Sequence, residues 1–136
     1  SVLDSVASLY KDYKGVNIYI EKGDTPKINM DTEQIKRVLI NLIDNAIDAK
    51  AETIRISTFY NPGSDTVKIE VADNGMGIKK EDENKLFLPY FSTKKTGTGL
   101  GLAISDKIVS EHHGCIRLKE SSRGGSIFVI ELPISG

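Results

Sequence analysis

At 136 residues, with 39% hydrophobic and 27% charged side chains, the chain is long enough to bury a real core and has an ordinary globular composition. A net charge of −1 gives no electrostatic basis for gripping nucleic acid or an anionic membrane, and the single cysteine, Cys115, excludes an internal disulfide and fits a reducing compartment. No run of about 18 apolar residues is present to span a bilayer, and no signal peptide, repeat or low-complexity tract is expected from the sequence.

One domain over residues 1–136 is expected. The chain begins inside a helical pattern without an initiator Met, which suggests a piece of a longer protein. Val2, Val6, Leu9 and Tyr13 share a helical face, and Gly15 stops that helix. Val16, Ile18 and Ile20 alternate with polar residues as in a half-buried strand. A turn over 23–26 and a short extended piece at Ile28 and Met30 follow. Asp31-Thr32-Glu33-Gln34 reads as a capping box opening the longest helix, to about Lys50, with Ile35, Val38, Leu39, Leu42, Ile43 and Ala46 facing the core.

On that helix Asn41, Asn45 and Asp48 fall within about 60° of one another on an adjoining face. They form either a solvated stripe or a set of hard oxygen donors of the kind that suits Mg²⁺. Residues 53–60 and 67–71 alternate as two strands joined by a hairpin loop over 61–65, so Asp73 stands at the end of a central strand. Residues 79–85 are a charged, helical-looking solvent face, and Leu86-Phe87-Leu88-Pro89-Tyr90-Phe91 is an apolar patch in a polar connector. A helix from about Gly99 to His112, carrying Leu100, Ala103, Ile104 and Ile108 and ending at Gly114, precedes a last hairpin around Arg123-Gly124-Gly125. The order α, β, α, β, β, connector, α, β, β predicts an α+β (mixed α/β) fold: a sheet with helices packed on one face.

Two glycine-rich turns frame the connector, Asp73-Asn74-Gly75-Met76-Gly77-Ile78 and Gly97-Thr98-Gly99-Leu100-Gly101-Leu102. A glycine turn that opens a helix presents free N–H groups and the positive end of the helix dipole, which suits phosphate. The pair therefore predicts a nucleotide site closed by a lid over about residues 79–98. Neither the P-loop string nor the G-x-G-x-x-G fingerprint occurs.

The ordered set of motifs, over essentially the whole chain, resembles the catalytic ATP-binding domain of sensor histidine kinases, whose fold is shared with DNA gyrase, Hsp90 and MutL. Asn41-Leu42-Ile43-Asp44-Asn45-Ala46 is similar to the N box of that family and residues 73–78 to its first glycine box. Residues 86–94 are similar to its F box and residues 97–104 to its second glycine box. The Ser-Thr-Lys-Lys that follows Phe91 most resembles the nitrogen-regulation-type subgroup.

The resemblance implies a Bergerat-type fold, with a mostly antiparallel mixed sheet and an ATP lid. It implies that Asp73 accepts a hydrogen bond from the adenine amine, a role for a group that only accepts. Gly75, Gly77 and Ile78 would pass close to the base, and Ser126 would touch the same region. Asn45 would coordinate Mg²⁺, with Asn41 close by as the second catalytic-site asparagine and Asp48 on the same face. Thr96, Gly97, Thr98, Gly99, Leu100, Gly101 and Leu102 would hold the phosphates, with Lys94 or Lys95 adding a cation. Phe87 and Phe91 would anchor the lid or form a docking surface for partner helices.

Hydrolysing relatives carry Glu where this chain has Asn41, and Asn is no general base near neutral pH. That favours transfer to histidine over an ATP-driven conformational switch or an anti-sigma-type serine kinase. The only histidines, His112 and His113, end a helix and precede Gly114 rather than an acidic residue, so no phosphoacceptor is expected in this chain. The expected partners are histidine-bearing dimerisation helices of a parent kinase and, downstream, a response regulator. The isolated domain is expected to be monomeric and cytoplasmic, with no nucleic-acid or membrane contact of its own, while the parent is open to membrane anchoring.

Overall fold

The computed structural model describes residues 2–11, 15–23, 31–89, 101–122 and 124–134. Its elements are α1 (Val2–Leu9), β1 (Asn17–Glu21), α2 (Thr32–Asp48), β2 (Thr53–Asn61), β3 (Thr66–Asp73), a 3₁₀ turn (Lys80–Lys85), α3 (Gly101–Glu111), β4 (Cys115–Ser122) and β5 (Gly125–Pro133). The strands form one five-stranded sheet in the order β1-β2-β3-β5-β4. β1 runs parallel to β2, and the remaining pairs are antiparallel. A parallel pair needs a crossover, and α2 supplies it. The mixed, mostly antiparallel sheet expected from the sequence is therefore present.

The helices lie on one face. Ile35, Val38, Leu39, Leu42, Ile43 and Ala46 of α2 are all buried, as the 3.6-residue period predicts, and join Leu3 and Val6 of α1 and Ile108 and Val109 of α3. They pack on the inward residues of the strands: Ile54, Ile56, Ile69, Val71, Phe128, Ile130 and Leu132. The register confirms one shared face, with Ile56 opposite Val71, Val71 opposite Phe128, and Ile69 opposite Ile130. The other face carries ion pairs: Arg55 with Glu21 and Arg117 with Glu131 join neighbouring strands, and Lys119 of β4 reaches across β5 to Glu70 of β3. Exposed pairs of this kind contribute little, about 0–1 kcal/mol each.

Several sequence expectations need adjustment. α1 ends at Leu9, with the Tyr10 and Lys11 N–H groups closing a tighter turn on the Ala7 and Ser8 carbonyls and the Tyr10 hydroxyl donating to Asp44 Oδ1 at 2.8 Å; Tyr13 lies outside the described residues, as do Ile28 and Met30. The charged segment is helical as expected, as a 3₁₀ turn over Lys80–Lys85. Asn61 belongs to β2, paired with Thr66, which shortens the hairpin loop. The capping box is half formed. Asp31 accepts the N–H groups of Glu33 and Gln34 at 3.1 and 3.2 Å, but its own N–H goes to His112 Nε2 at 3.0 Å instead of to Gln34.

α3 turns a face centred on Ser105, Ile108 and Val109 inward, with Ala103 and Ile104 only half-buried. Its stop is also displaced. His113, with φ +63°, takes the left-handed position, and the N–H groups of His113 and Gly114 close on Ser110 and Val109 as a Schellman motif.

Candidate functional site

β3 delivers Asp73 to the end of the sheet, where it pairs with Ile54 on one side and Ser126 on the other. Its carboxylate is held by two donors: Gly75 N–H to Oδ1 at 2.8 Å and Ser126 Oγ–H to Oδ2 at 3.1 Å. Each oxygen retains a further lone pair, so the group is oriented yet still able to accept. Two glycines make this corner possible. A Cβ on Gly75 would lie 2.7 Å from the Ala49 carbonyl oxygen and 3.1 Å from Asp73 Oδ1. On Gly125, at φ +133°, a Cβ would lie 1.8 Å from the Asp73 carbonyl oxygen. No side chain fits at either position.

The rest of the first glycine turn is pinned to its surroundings. Met76 N–H donates to the Ala49 carbonyl at 2.8 Å, which seats the turn on the C-terminal end of α2. Asn74 Oδ1 accepts the N–H groups of Glu52 and Thr53 at 2.8 and 2.9 Å. Past Gly77 (φ +80°), Ile78 N–H donates to Ser121 Oγ at 2.7 Å, and that hydroxyl donates back to the Ile78 carbonyl at 3.3 Å. Ser121 faces inward because β4 bulges between Leu118 and Glu120; in unbroken alternation Glu120 would occupy that side.

α2 carries the second part of the site. Asn41 and Asn45 are half-buried and one turn apart, and Asp48 follows on the exposed side. Asn41 Nδ2 donates to the Gly101 carbonyl and to Ser105 Oγ, both at 3.1 Å, so α2 is bonded to the first turn of α3. Ser105 is fully buried, and its hydroxyl donates to the same Gly101 carbonyl at 2.9 Å. Leu102, in that first turn, packs against the core. The apolar patch after the 3₁₀ turn is anchored by buried Leu86 and by Phe87, which meets Phe128 edge-on at 6.3 Å between ring centres.

The structure thus gathers Asp73, Gly75, Gly77, Ile78 and Ser126 at one strand end beside the α2 C-terminus, and joins Asn41 to Gly101. Lys94, Lys95, Thr96, Gly97, Thr98, Gly99 and Leu100, with Phe91, lie outside the described residues. Sequence reasoning missed Asn74, Ser105, Ser121 and His112. A buried serine on an otherwise apolar helical face was a usable signal for Ser105. Nothing in the sequence marks the bulge that turns Ser121 inward. Among the described residues no group of three His, Cys, Asp or Glu side chains is placed to cage a metal. The oxygen donors along α2 suit Mg²⁺ in its usual mode, through one or two protein ligands plus phosphate oxygens and water.

A sheet covered by helices on one face, with a strand-end carboxylate beside an asparagine-bearing helix, defines a nucleotide-site architecture of the ATPase kind. Residues 30–136 match the family described as histidine kinase-, DNA gyrase B-, and HSP90-like ATPase, and the chain belongs to it. It is 40% identical over 121 residues to the sensor histidine kinase ZraS of Escherichia coli, a match covering 88% of this chain and 26% of ZraS. The chain therefore spans about a quarter of that relative's length.

Among solved structures it is similar to the catalytic domain of histidine kinase ThkA, with 34% identity, a TM-score of 0.82, and coverage of 98% of this chain and 90% of that one. ThkA has also been solved in complex with the response regulator protein TrrA (28% identity, TM-score 0.80, covering 98% of this chain and 40% of that one). Full-length ShkA in complex with AMPPNP matches at 26% identity and a TM-score of 0.85, over 97% of this chain and 29% of that one. No helix among the described residues is long and apolar enough to cross a membrane.

Proposed function

We propose that this chain is the nucleotide-holding catalytic part of a sensor histidine kinase, binding Mg·ATP and passing its γ-phosphoryl group to a histidine on a separate dimerisation helix. The observation that carries this reading is the Asp73 corner. A carboxylate oriented by Gly75 N–H and the Ser126 hydroxyl, with acceptor capacity left over, suits the exocyclic amine of adenine. The same position would repel guanine, which presents a carbonyl there.

Asn45 would hold Mg²⁺, with Asn41 and Asp48 as the neighbouring oxygen donors. The bound ion would neutralise phosphate charge as the γ-phosphoryl group leaves. The second glycine turn, ending at Gly101 and Leu102, would present N–H groups to the phosphates, with Lys94 or Lys95 as a cation and residues 79–98 as the lid. Leu86 and the Phe87–Phe128 contact would be its fixed end.

Asn41 offers no base to activate water, so the nucleophile must bring its own lone pair. A histidine nitrogen does: it bonds to the γ-phosphorus as the bond to the ADP oxygen breaks. The phosphohistidine would then serve a response regulator, a role supported by the ThkA–TrrA complex. By itself the domain would be monomeric and cytoplasmic, with any dimerisation or membrane anchoring supplied by the parent.

The test is transfer in trans. The purified chain, labelled Mg·ATP and a histidine-bearing helical hairpin from a related kinase should together give an acid-labile, base-stable phosphoprotein on the hairpin and none on the chain alone. Steady ATP hydrolysis without the hairpin would instead favour a nucleotide-driven switch. An acid-stable product on a serine-bearing partner would favour a serine kinase.

A further inference from the structure

We infer that Ser105 is a positioning residue that fixes the carboxamide of Asn41 with its nitrogen on α3 and its oxygen left for the metal side of the site. The inference rests on the nucleotide reading proposed above and gives Asn41 a definite role within it. Ser105 is fully exchanged out of solvent on a helix face otherwise filled by Ile108 and Val109. An alanine would pack there and favour the helix more, so the hydroxyl needs a reason.

The hydrogen bonds supply one. The single hydroxyl proton of Ser105 is spent on the Gly101 carbonyl, one turn back, at 2.9 Å. Its oxygen can then only accept. The Gly101 carbonyl, the other neighbour of the Asn41 amide, also only accepts. Both lie 3.1 Å from the same atom of Asn41, and only an NH₂ group satisfies two acceptors at once. Turning the amide over would set its oxygen against two acceptor lone pairs.

Asn41 Oδ1 makes no hydrogen bond to any described residue, so it is the end of the side chain available to the site. Asn41 therefore acts as an oxygen donor, toward Mg²⁺ or a water bound to it, and not as an N–H donor to a phosphate. The same bonds mount it on the first turn of α3, at Gly101 and Ser105.

The experiment has two readouts on Ser105→Ala. In the nucleotide-free protein, the side-chain amide protons of Asn41 should be resolved and slow to exchange in the wild type, and should lose that protection in the variant. In calorimetric titrations, Ser105→Ala should weaken Mg·ATP binding about tenfold, the factor expected for losing one well-placed hydrogen bond. ADP without Mg²⁺ should bind the variant as it binds the wild type.

In an Asn41→Ala background, Ser105→Ala should produce no additional loss. Equal losses in both backgrounds would mean that Ser105 acts only through folding, and would overturn the inference. So would unchanged protection of the Asn41 amide in Ser105→Ala. A wild type that folds but binds no Mg·ATP would defeat the nucleotide reading itself, a result distinguishable because the amide protection is measured without nucleotide.

Discussion

Asp73 is held by two hydrogen bonds that orient it without using up its capacity to accept. Removing one of them tests whether orientation matters apart from charge. Ser126→Ala should leave the carboxylate in place but free to rotate, and should weaken ATP binding severalfold with a change in melting temperature of no more than a few degrees, as for one hydrogen bond of about 1 kcal/mol. Gly125→Ala should behave differently. Its Cβ would sit inside the contact distance of the Asp73 backbone, so β5 or the Asp73 corner must shift, and stability should fall by more than about 2 kcal/mol in denaturant titrations. Gly75 and Gly125 are thus set by steric contact with Ala49 and Asp73, which no reading of glycine spacing reveals. Asp73 and Gly75 stand in the motif string itself, and Ser126 was expected only from the family resemblance. Asn74 and Ser121 were not, because their bonds cross to residues more than twenty positions away.

α2 was the most legible element. Its six inward positions follow the helical period, and Asp31 announces its start. Its end carries a cost. Lys50 sits at φ +67° in a Schellman closure, with the Lys50 and Ala51 N–H groups on the Ile47 and Ala46 carbonyls. Lys50→Gly should therefore stabilise the fold by about 1 kcal/mol, raising the denaturation midpoint without changing the slope.

The link between α2 and α3 was hidden. His112 spends Nδ1–H on the Ile108 carbonyl at 2.8 Å and accepts Asp31 N–H at Nε2, so one imidazole caps one helix and closes another. This commitment of both ring nitrogens also argues against His112 as a phosphoacceptor. His112→Ala should cost about 1–2 kcal/mol in the same titration. On the β2–β3 hairpin, Tyr60 donates its hydroxyl to Asp65 at 3.1 Å. That bond, with smaller contributions from burial and the carboxylate charge, raises the phenol above its usual value of 10.0. The linked stability is therefore complete below about pH 10 and is lost as the pH rises through the raised value. Subtracting the alkaline absorbance titration of Tyr60→Phe from that of the wild type should isolate a phenol that ionises later than free tyrosine.

At the scale of the molecule, one face of the sheet carries the helices and one end of it carries the candidate site. The β1–α2–β2 crossover places the end of α2 against the turn after β3, and α3 returns to bond Asn41 from the other side. Element order and the one-sided helical layer could be read from hydrophobic period alone. Strand order could not, because pairing β5 between β3 and β4 is a choice among topologies that alternation leaves open.

The central claim is that the Asp73 corner reads adenine, and it is tested most directly by calorimetric titration of Mg·ATP and Mg·GTP into the wild type and Asp73→Asn. The account predicts that the wild type binds ATP and discriminates against GTP. It also predicts that Asp73→Asn, still folded by its melting curve, loses about ten- to a hundredfold in ATP affinity, as expected for a hydrogen bond to a charged acceptor. A folded wild type that binds both nucleotides alike, or an Asp73→Asn protein that binds ATP unchanged, would contradict it.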